Sequence, residues 1–273
     1  MDTTVFWSCT GMDASELSYS TAKLFSEEEN TLMVELPCLG IPRLGFTCGV
    51  MDAQRNTETA ILRFDRDKRL QWDMIHQINK RFHILPASVF SVPDYPVAAR
   101  VNVDTLMEFI FALQKLARDH DCGRLVLDCQ GQLNSPMTFF SLKAAGQAVI
   151  PLGKPSDAAY AVASVRRLVQ AYQQQPAKFL IAVIGSVKSI ESAALAGGQE
   201  SEKLNGIRFV AWDSRKVKRA LTGNIHGPAD LSGRAQWGAL LKKEANTRAP
   251  KDNFRETEGR QGDQMPDGMP VYL

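Results

Sequence analysis

The sequence predicts an α/β fold: a mostly parallel, twisted sheet of about seven strands with helices on both faces. Two observations predict it. Short apolar runs recur at residues 5–7, 32–35, 82–85, 124–129, 148–152, 179–184 and 207–212, and helix-period segments separate them from end to end. Each run is continuous rather than alternating, the pattern of a strand buried on both faces of a parallel sheet. Strand and helix in strict alternation imply right-handed crossovers and an open sheet covered on both sides.

The elements follow in order. Val5, Phe6 and Trp7 form the first strand and lead into a strand-to-helix turn. Runs 32–35 and 82–85 supply the next two strands. Residues 103–120 predict a helix, with Leu106, Phe109, Ile110, Leu113, Leu116 and Ala117 on one face. Runs 124–129 and 148–152 follow, then a second clear helix over 156–174, where Ala159, Val162, Val165 and Val169 recur. Runs 179–184 and 207–212 close the series. No internal repeat occurs and no linker precedes residue 246, so 1–245 reads as one domain. Residues 246–273 are rich in charge, glycine and proline and read as a flexible polar tail.

Composition narrows the function classes. The chain has 273 residues, 44% hydrophobic and 23% charged, enough for one large core that needs no disulfide or metal staple. Its net charge of +2 forces no nucleic-acid partner. Five cysteines, Cys9, Cys38, Cys48, Cys122 and Cys129, form no C-x-x-C pair, which fits a reducing compartment better than a zinc or disulfide framework. No signal peptide is read at the N-terminus, and no apolar run approaches the roughly 20 residues that span a bilayer. The expected setting is cytoplasmic, with the inner membrane reached only through the surface or a partner.

In open α/β sheets ligands sit beyond the carboxyl ends of the strands, so the first strand-to-helix turn is where function is sought. It reads Ser8-Cys9-Thr10-Gly11-Met12-Asp13-Ala14-Ser15-Glu16-Leu17. A phosphate-binding loop wants glycines for close backbone approach, a lysine for the phosphates and a Ser or Thr for Mg²⁺. This turn has one glycine, Gly11, and no lysine; the first basic residue of the chain is Lys23.

The segments TVFWSCTGMDASELSYSTAKLF and TLMVELPCLGIPRLGF nevertheless resemble the opening of the MinD/ParA family of deviant-Walker P-loop ATPases. That family runs strand, Lys-Gly-Gly-x-Gly-Lys-Thr-Thr loop, helix, and a second strand ending in Asp-x-Asp. Aligned on the strand, the signature lysine falls on Thr10, the second lysine on Ser15 and the Mg²⁺-binding Thr on Glu16. The two acidic positions fall on Glu35 and Pro37. A register slipped by two residues puts the second lysine on Leu17 and the Mg²⁺ ligand on Ser18. Neither register supplies a lysine. RFHILPAS is similar to the family's third strand, and GRLVLDCQGQL to its Walker-B-side strand, with Asp128 on the family's Asp. AAGQAVIPLGKPSDAAYAVASVRRLV resembles the next strand and helix, and AKFLIAVIG and NGIRFVAWDSRKV fall where the adenine-side strands lie. The match spans residues 4–245.

The resemblance implies a vestigial nucleotide-binding loop over Thr10, Gly11, Met12, Asp13, Ala14, Ser15, Glu16 and Leu17, with Glu35 and Asp128 as acidic strand-end positions. Asp13 and Glu16 are spaced as in a capping box, so they are expected to satisfy the free N–H groups of the helix start themselves. They would also set two negative charges where phosphates sit, repelling ATP by several tenths to a few kcal/mol, roughly. The expected loop is self-capped and nucleotide-free, with no catalytic residue and no metal. The rival is weak ATP binding, with Mg²⁺ or a partner's cation screening Glu16. For Glu35 and Asp128, capping of the next turn stands beside residual Mg²⁺ or water coordination. Cys9, Cys38 and Cys129 read as buried small hydrophobes. His76, His83, His120 and His226 are scattered and suggest neither a metal site nor a triad.

Family relatives position chromosomes, plasmids, division sites, flagella, pili and secretion assemblies, typically as ATP-sandwiched dimers. A relative without the lysines is expected to be a non-catalytic localisation or assembly scaffold, nearest the TadZ/CpaE branch tied to pilus assembly. Its partners would be proteins: a second copy or a related ATPase. Two alternatives stay open: an atypical ATPase of the same family, and a DNA- or membrane-associated partition factor. The last would use the stretch DLSGRAQWGALLKKEANTR, where Trp237, Leu240 and Leu241 share a helical face beside Arg234, Lys242 and Lys243. The competing reading packs that helix on its own sheet.

Overall fold

The computed structural model describes residues 1–37, 42–90, 97, 100–129, 133, 135–175, 178–184 and 207–223. The strands are β1 (Asp2–Trp7), β2 (Thr31–Glu35), β3 (His76–Gln77), β4 (Phe82–Leu85), β5 (Arg124–Cys129), β6 (Gln147–Leu152), β7 (Phe179–Val183) and β8 (Arg208–Ala211). The helices are α1 (Ser15–Ser26), α2 (Leu44–Cys48), α3 (Thr57–Asp67), α4 (Val103–Asp119), α5 (Pro136–Ala144), α6 (Pro155–Tyr172) and α7 (Ser214–Leu221). All strands lie in one sheet of order β3-β4-β2-β5-β1-β6-β7-β8. Every pairing is parallel except β3 on β4.

All seven apolar runs are strands, and β3 is the eighth. It is a two-residue antiparallel edge, too short to carry a pattern in the sequence. Strands β2, β5 and β7 are buried along their whole length, and β1, β4 and β6 at all but one residue, which is why they read as continuous apolar runs.

Strand parity sorts the core into two layers. Val5, Trp7, Leu32, Val34, Leu125 and Leu127 face α3, α4, α5 and α6. Phe6, Met33, Val126 and Val149 face α1, α7 and Leu44 of α2. Helix α4 buries the six apolar residues expected of it, and its Asn102 cap accepts the Asp104 N–H. Helix α6 corrects its expected face. Ala158, Ala161, Val162, Val165 and Leu168 are buried, while Ala159 is exposed. Ala159 and Val162 are three apart, as are Val162 and Val165, so that spacing rotates off a 3.6-residue face; the buried set starts one residue earlier.

Among the described residues, no helix is long and apolar enough to cross a membrane. Cys38, His226, the stretch 230–248 and the tail 246–273 lie outside the described residues.

Candidate functional site

Strand β1 lies between β5 and β6, so the chain leaves β1 toward β2 on one side and leaves β5 toward β6 on the other. The carboxyl end of β1 is therefore the switch point, where an open α/β sheet forms its ligand crevice. The turn 8–14 occupies it. Ser8 N–H donates to the Cys129 carbonyl at 3.0 Å, pinning the turn to the end of β5. Gly11 takes φ +77°, a left-handed conformation that favours glycine. Met12 leans on the segment after β6: a Cβ at Gly153 would lie 2.8 Å from Met12 Sδ, the far end of a flexible side chain that would have to shift.

Helix α1 starts at Ser15, with Ala14 as cap residue and no side-chain cap from it. Ser8 Oγ accepts the Ala14 N–H at 3.1 Å, and Asp13 Oδ1 accepts the Ser15 N–H at 2.8 Å. This corrects the expected capping box. Asp13 does serve the helix start, but from one residue outside the cap position. Glu16 is exposed and falls in the first turn instead of three residues past an Asp13 cap. The Ser8 bond is the reason: it draws Ala14 into the turn and delays the helix by one residue. Leu17 is buried, at 2% exposure.

The other Asp13 oxygen meets a cation from a distant segment. Arg43 Nε lies 2.6 Å from Asp13 Oδ2. Arg43 immediately precedes α2, and its backbone N–H donates to Glu35 Oε1 at 2.6 Å. Glu35 also accepts the Leu44 N–H at 3.3 Å and the Ala87 N–H at 3.0 Å. One buried carboxylate thus gathers the ends of β2 and β4 and the start of α2. Burial raises its pKa, and these backbone donors offset only part of the rise.

Asp128 sits on the neighbouring strand, fully buried. Burial and the nearby Glu35 charge push its pKa up to about 7, against the lowering effect of hydrogen bonds from Ser15 and Ser18. Ser18 Oγ lies 3.2 Å from Asp128 Oδ2 and 3.0 Å from the Ser15 carbonyl. A hydroxyl has one proton. A protonated Asp128 satisfies both contacts, donating to Ser18 while Ser18 donates to Ser15. Asp128 Oδ1 has no hydrogen-bond partner.

An open groove of about 290 Å³ runs beside the turn, lined by Glu16, Leu17 and Ser20 of α1 and by Trp212, Asp213, Ser214 and Arg215 at the start of α7. The structure brings residues 10–17, Glu35 and Asp128 to one crevice. Ser8, Arg43 and the α7 start join them without having been singled out for it. Arg43 is a lone arginine whose pairing is tertiary, so no spacing rule marks it. The remaining candidates stay apart. Burial pushes the Cys9 thiol up to about 12, and Cys129 is buried against Thr138. His76 contacts the Arg55 carbonyl, and His83 and His120 flank Trp72 away from the crevice. Among the described residues, no three His, Cys, Asp or Glu side chains are placed to hold a metal ion.

The fold is similar to that of several solved structures. A plasmid partition protein from Borrelia burgdorferi superposes with a TM-score of 0.56 at 11% identity, covering 82% of this chain and 100% of its own. A ParA family ATPase from Chlorobium tepidum TLS gives 0.55 at 13% identity, covering 90% and 99%. This chain has the ParA/MinD fold. The MinD cell division protein of Aquifex aeolicus gives 0.52 at 11% identity, covering 93% and 100%. No family model matches the chain, and no curated protein matches it in sequence.

Proposed function

We propose that this ParA/MinD-fold chain is a localisation or assembly scaffold that works through protein contacts and does not hydrolyse ATP. The observation that carries the reading is the start of α1, where Ser8 and Asp13 take the Ala14 and Ser15 N–H groups that a phosphate would use. The Ser18–Asp128 contact favours the slipped register, because the P-loop Ser/Thr and the Walker-B Asp share Mg²⁺ in such enzymes. In that register buried Leu17 stands at the second lysine. Mg·ATP therefore fits these residues poorly: the donors are taken, the lysine is absent, and Asp13 and Glu16 carry negative charge at the helix start. Phe46 and Met51, 57% and 56% exposed, offer apolar surface to a protein partner. That partner is a second copy or a related ATPase, and a place in pilus or secretion assembly, as in the TadZ/CpaE branch, belongs to this reading.

One observation favours a second reading. Ser18 and Asp128 keep the metal side of an ATPase site, so an atypical ATP-binding relative that positions a cellular cargo is the alternative. Calorimetry with ATP and Mg²⁺ separates the two. The scaffold gives no heat at micromolar protein; micromolar binding overturns it. The partition-factor alternative, through residues 230–273, is tested by binding to anionic liposomes or DNA that is lost when 246–273 is deleted.

A further inference from the structure

Two histidine rings meet on Trp72, near the amino ends of β2 and β4 and away from the crevice. Trp72 lies in the single turn 72–74, between α3 and β3. The His120 ring, just past α4, stacks on the indole with centroids 4.1 Å apart and planes at 12°. The His83 ring, on β4, meets the same indole edge-on at 5.2 Å and 61°. His83 Nδ1 is buried and has no hydrogen-bond partner. We propose that Trp72, His83 and His120 form an acid-sensitive latch: a proton taken up by His83 releases the end of α4 from the turn 72–74 and loosens edge strand β3.

The arrangement suits a neutral His83 and not a charged one. Stacked and edge-on contacts are the geometries that flat aromatic rings prefer. In a charged imidazole both nitrogens are donors, and the buried Nδ1 has no acceptor to meet. A charge on His120 opposes a second on His83. Burial first, and His120 after it, hold the His83 ring below the ordinary histidine value of 6.5. The other charged groups on these elements are Asp73 beside Trp72, Arg81 ahead of His83, and Arg118, Asp119 and Asp121 around His120. All five are exposed. From the sheet, the register partners of His83 are Leu32 of β2 and Gln77 of β3. His76, the other residue of β3, is engaged with the Arg55 carbonyl.

The sign follows from the lowered value. A histidine held below 6.5 binds its proton less tightly latched than released. The latch is therefore complete above 6.5 and weakens as pH falls below it. Its reach is set by the chain. The turn 72–74 runs directly into β3, and Gln77 of β3 pairs with His83 itself. Opening is thus local, confined to an edge that is thinly held.

Hydrogen exchange on the full chain at pH 7.5 and pH 5, each rate divided by its intrinsic value, tests the latch alongside imidazole NMR. Residues 70–79 and 118–122 should open on the order of tenfold more at pH 5, while the middle of α4 stays protected. His83→Phe keeps a ring without a titrating nitrogen, so it should protect both segments equally at the two pH values. His120→Gln removes the opposing charge and should raise the pH at which the His83 ring titrates; it carries the test if His83→Phe does not fold. A His83 ring that titrates at or above 6.5 in the unaltered chain overturns the latch. So does a pH response that survives His83→Phe, or one that opens the middle of α4 to the same extent.

Discussion

Glu35 and Asp128 are register partners on neighbouring parallel strands, 2% and 1% exposed, and strand parity turns both carboxyls toward α1. The two are not equivalent. Glu35 collects three backbone N–H groups, whereas Asp128 has hydroxyl partners and one bare oxygen. The backbone donors favour charge on Glu35, and Asp128 is the carboxyl raised to about 7.

Stability should depend on pH through the Asp128 proton. A carboxyl whose folded pKa is raised binds its proton more tightly folded than unfolded, so its stabilising effect is complete below the unfolded pKa and is lost as pH rises through the folded one. For Asp128 the window runs from 3.8 to about 7, and the loss is on the order of a few kcal/mol. Asp128→Asn should flatten this decline and melt higher than the unaltered chain at pH 8. Thermal melts at pH 5 and pH 8 check it; equal slopes for the two chains would contradict the assignment.

Glu35→Ala should loosen one segment more than the rest. It strands the Arg43, Leu44 and Ala87 N–H groups together. Each unpaired buried donor costs about 1–3 kcal/mol. Hydrogen exchange over residues 42–50 should quicken well before exchange in α4. Uniform quickening across both would show that the carboxylate holds the fold generally and not α2 in particular.

At the other end of the sheet, Lys178 is buried and donates to the Leu142 carbonyl and to Gln174 Oε1, tying the ends of α5 and α6. Burial lowers its pKa from 10.5 to about 8. Between those values the unfolded chain holds more protons, so this group makes stability rise with pH across that window. Lys178→Met should remove the rise, read as the difference between the two chains in denaturant midpoints at pH 8 and pH 10.

Arg124, 5% exposed, pairs with Asp2 at 3.2 Å and Glu29 at 3.0 Å and lies 4.2 Å above the Phe25 ring. Arg124→Ala should cost about 2 kcal/mol, since it removes a stacked cation and leaves two carboxylates facing each other. Urea unfolding measures this; a loss under 0.5 kcal/mol, roughly the level of a surface pair, would reduce the cluster to decoration.

The strands β1, β2, β4, β5, β6 and β7 were legible because a strand buried on both faces must be largely apolar, and the half-buried edge strand β8 was legible from its short apolar run Phe209-Val210-Ala211. The phase of α6 was not, since small alanines on both of its faces leave the buried stripe undefined. At the site, the missing lysine was plain in residues 8–17, and so were the acidic ends of β2 and β5. The details were not. Ser8 shifts the helix start by one residue through a bond across the turn. Arg43 joins from thirty positions beyond Asp13, a pairing that only the tertiary fold creates.

The two residues of β3 also bear on how the chain behaves when crowded. A long parallel edge offers a row of free backbone groups to any passing strand. Here β4 is met instead by His76 and Gln77, running the opposite way and ending almost at once. That margin is too short to template another strand, so the sheet should resist growing sideways into fibrils from this side.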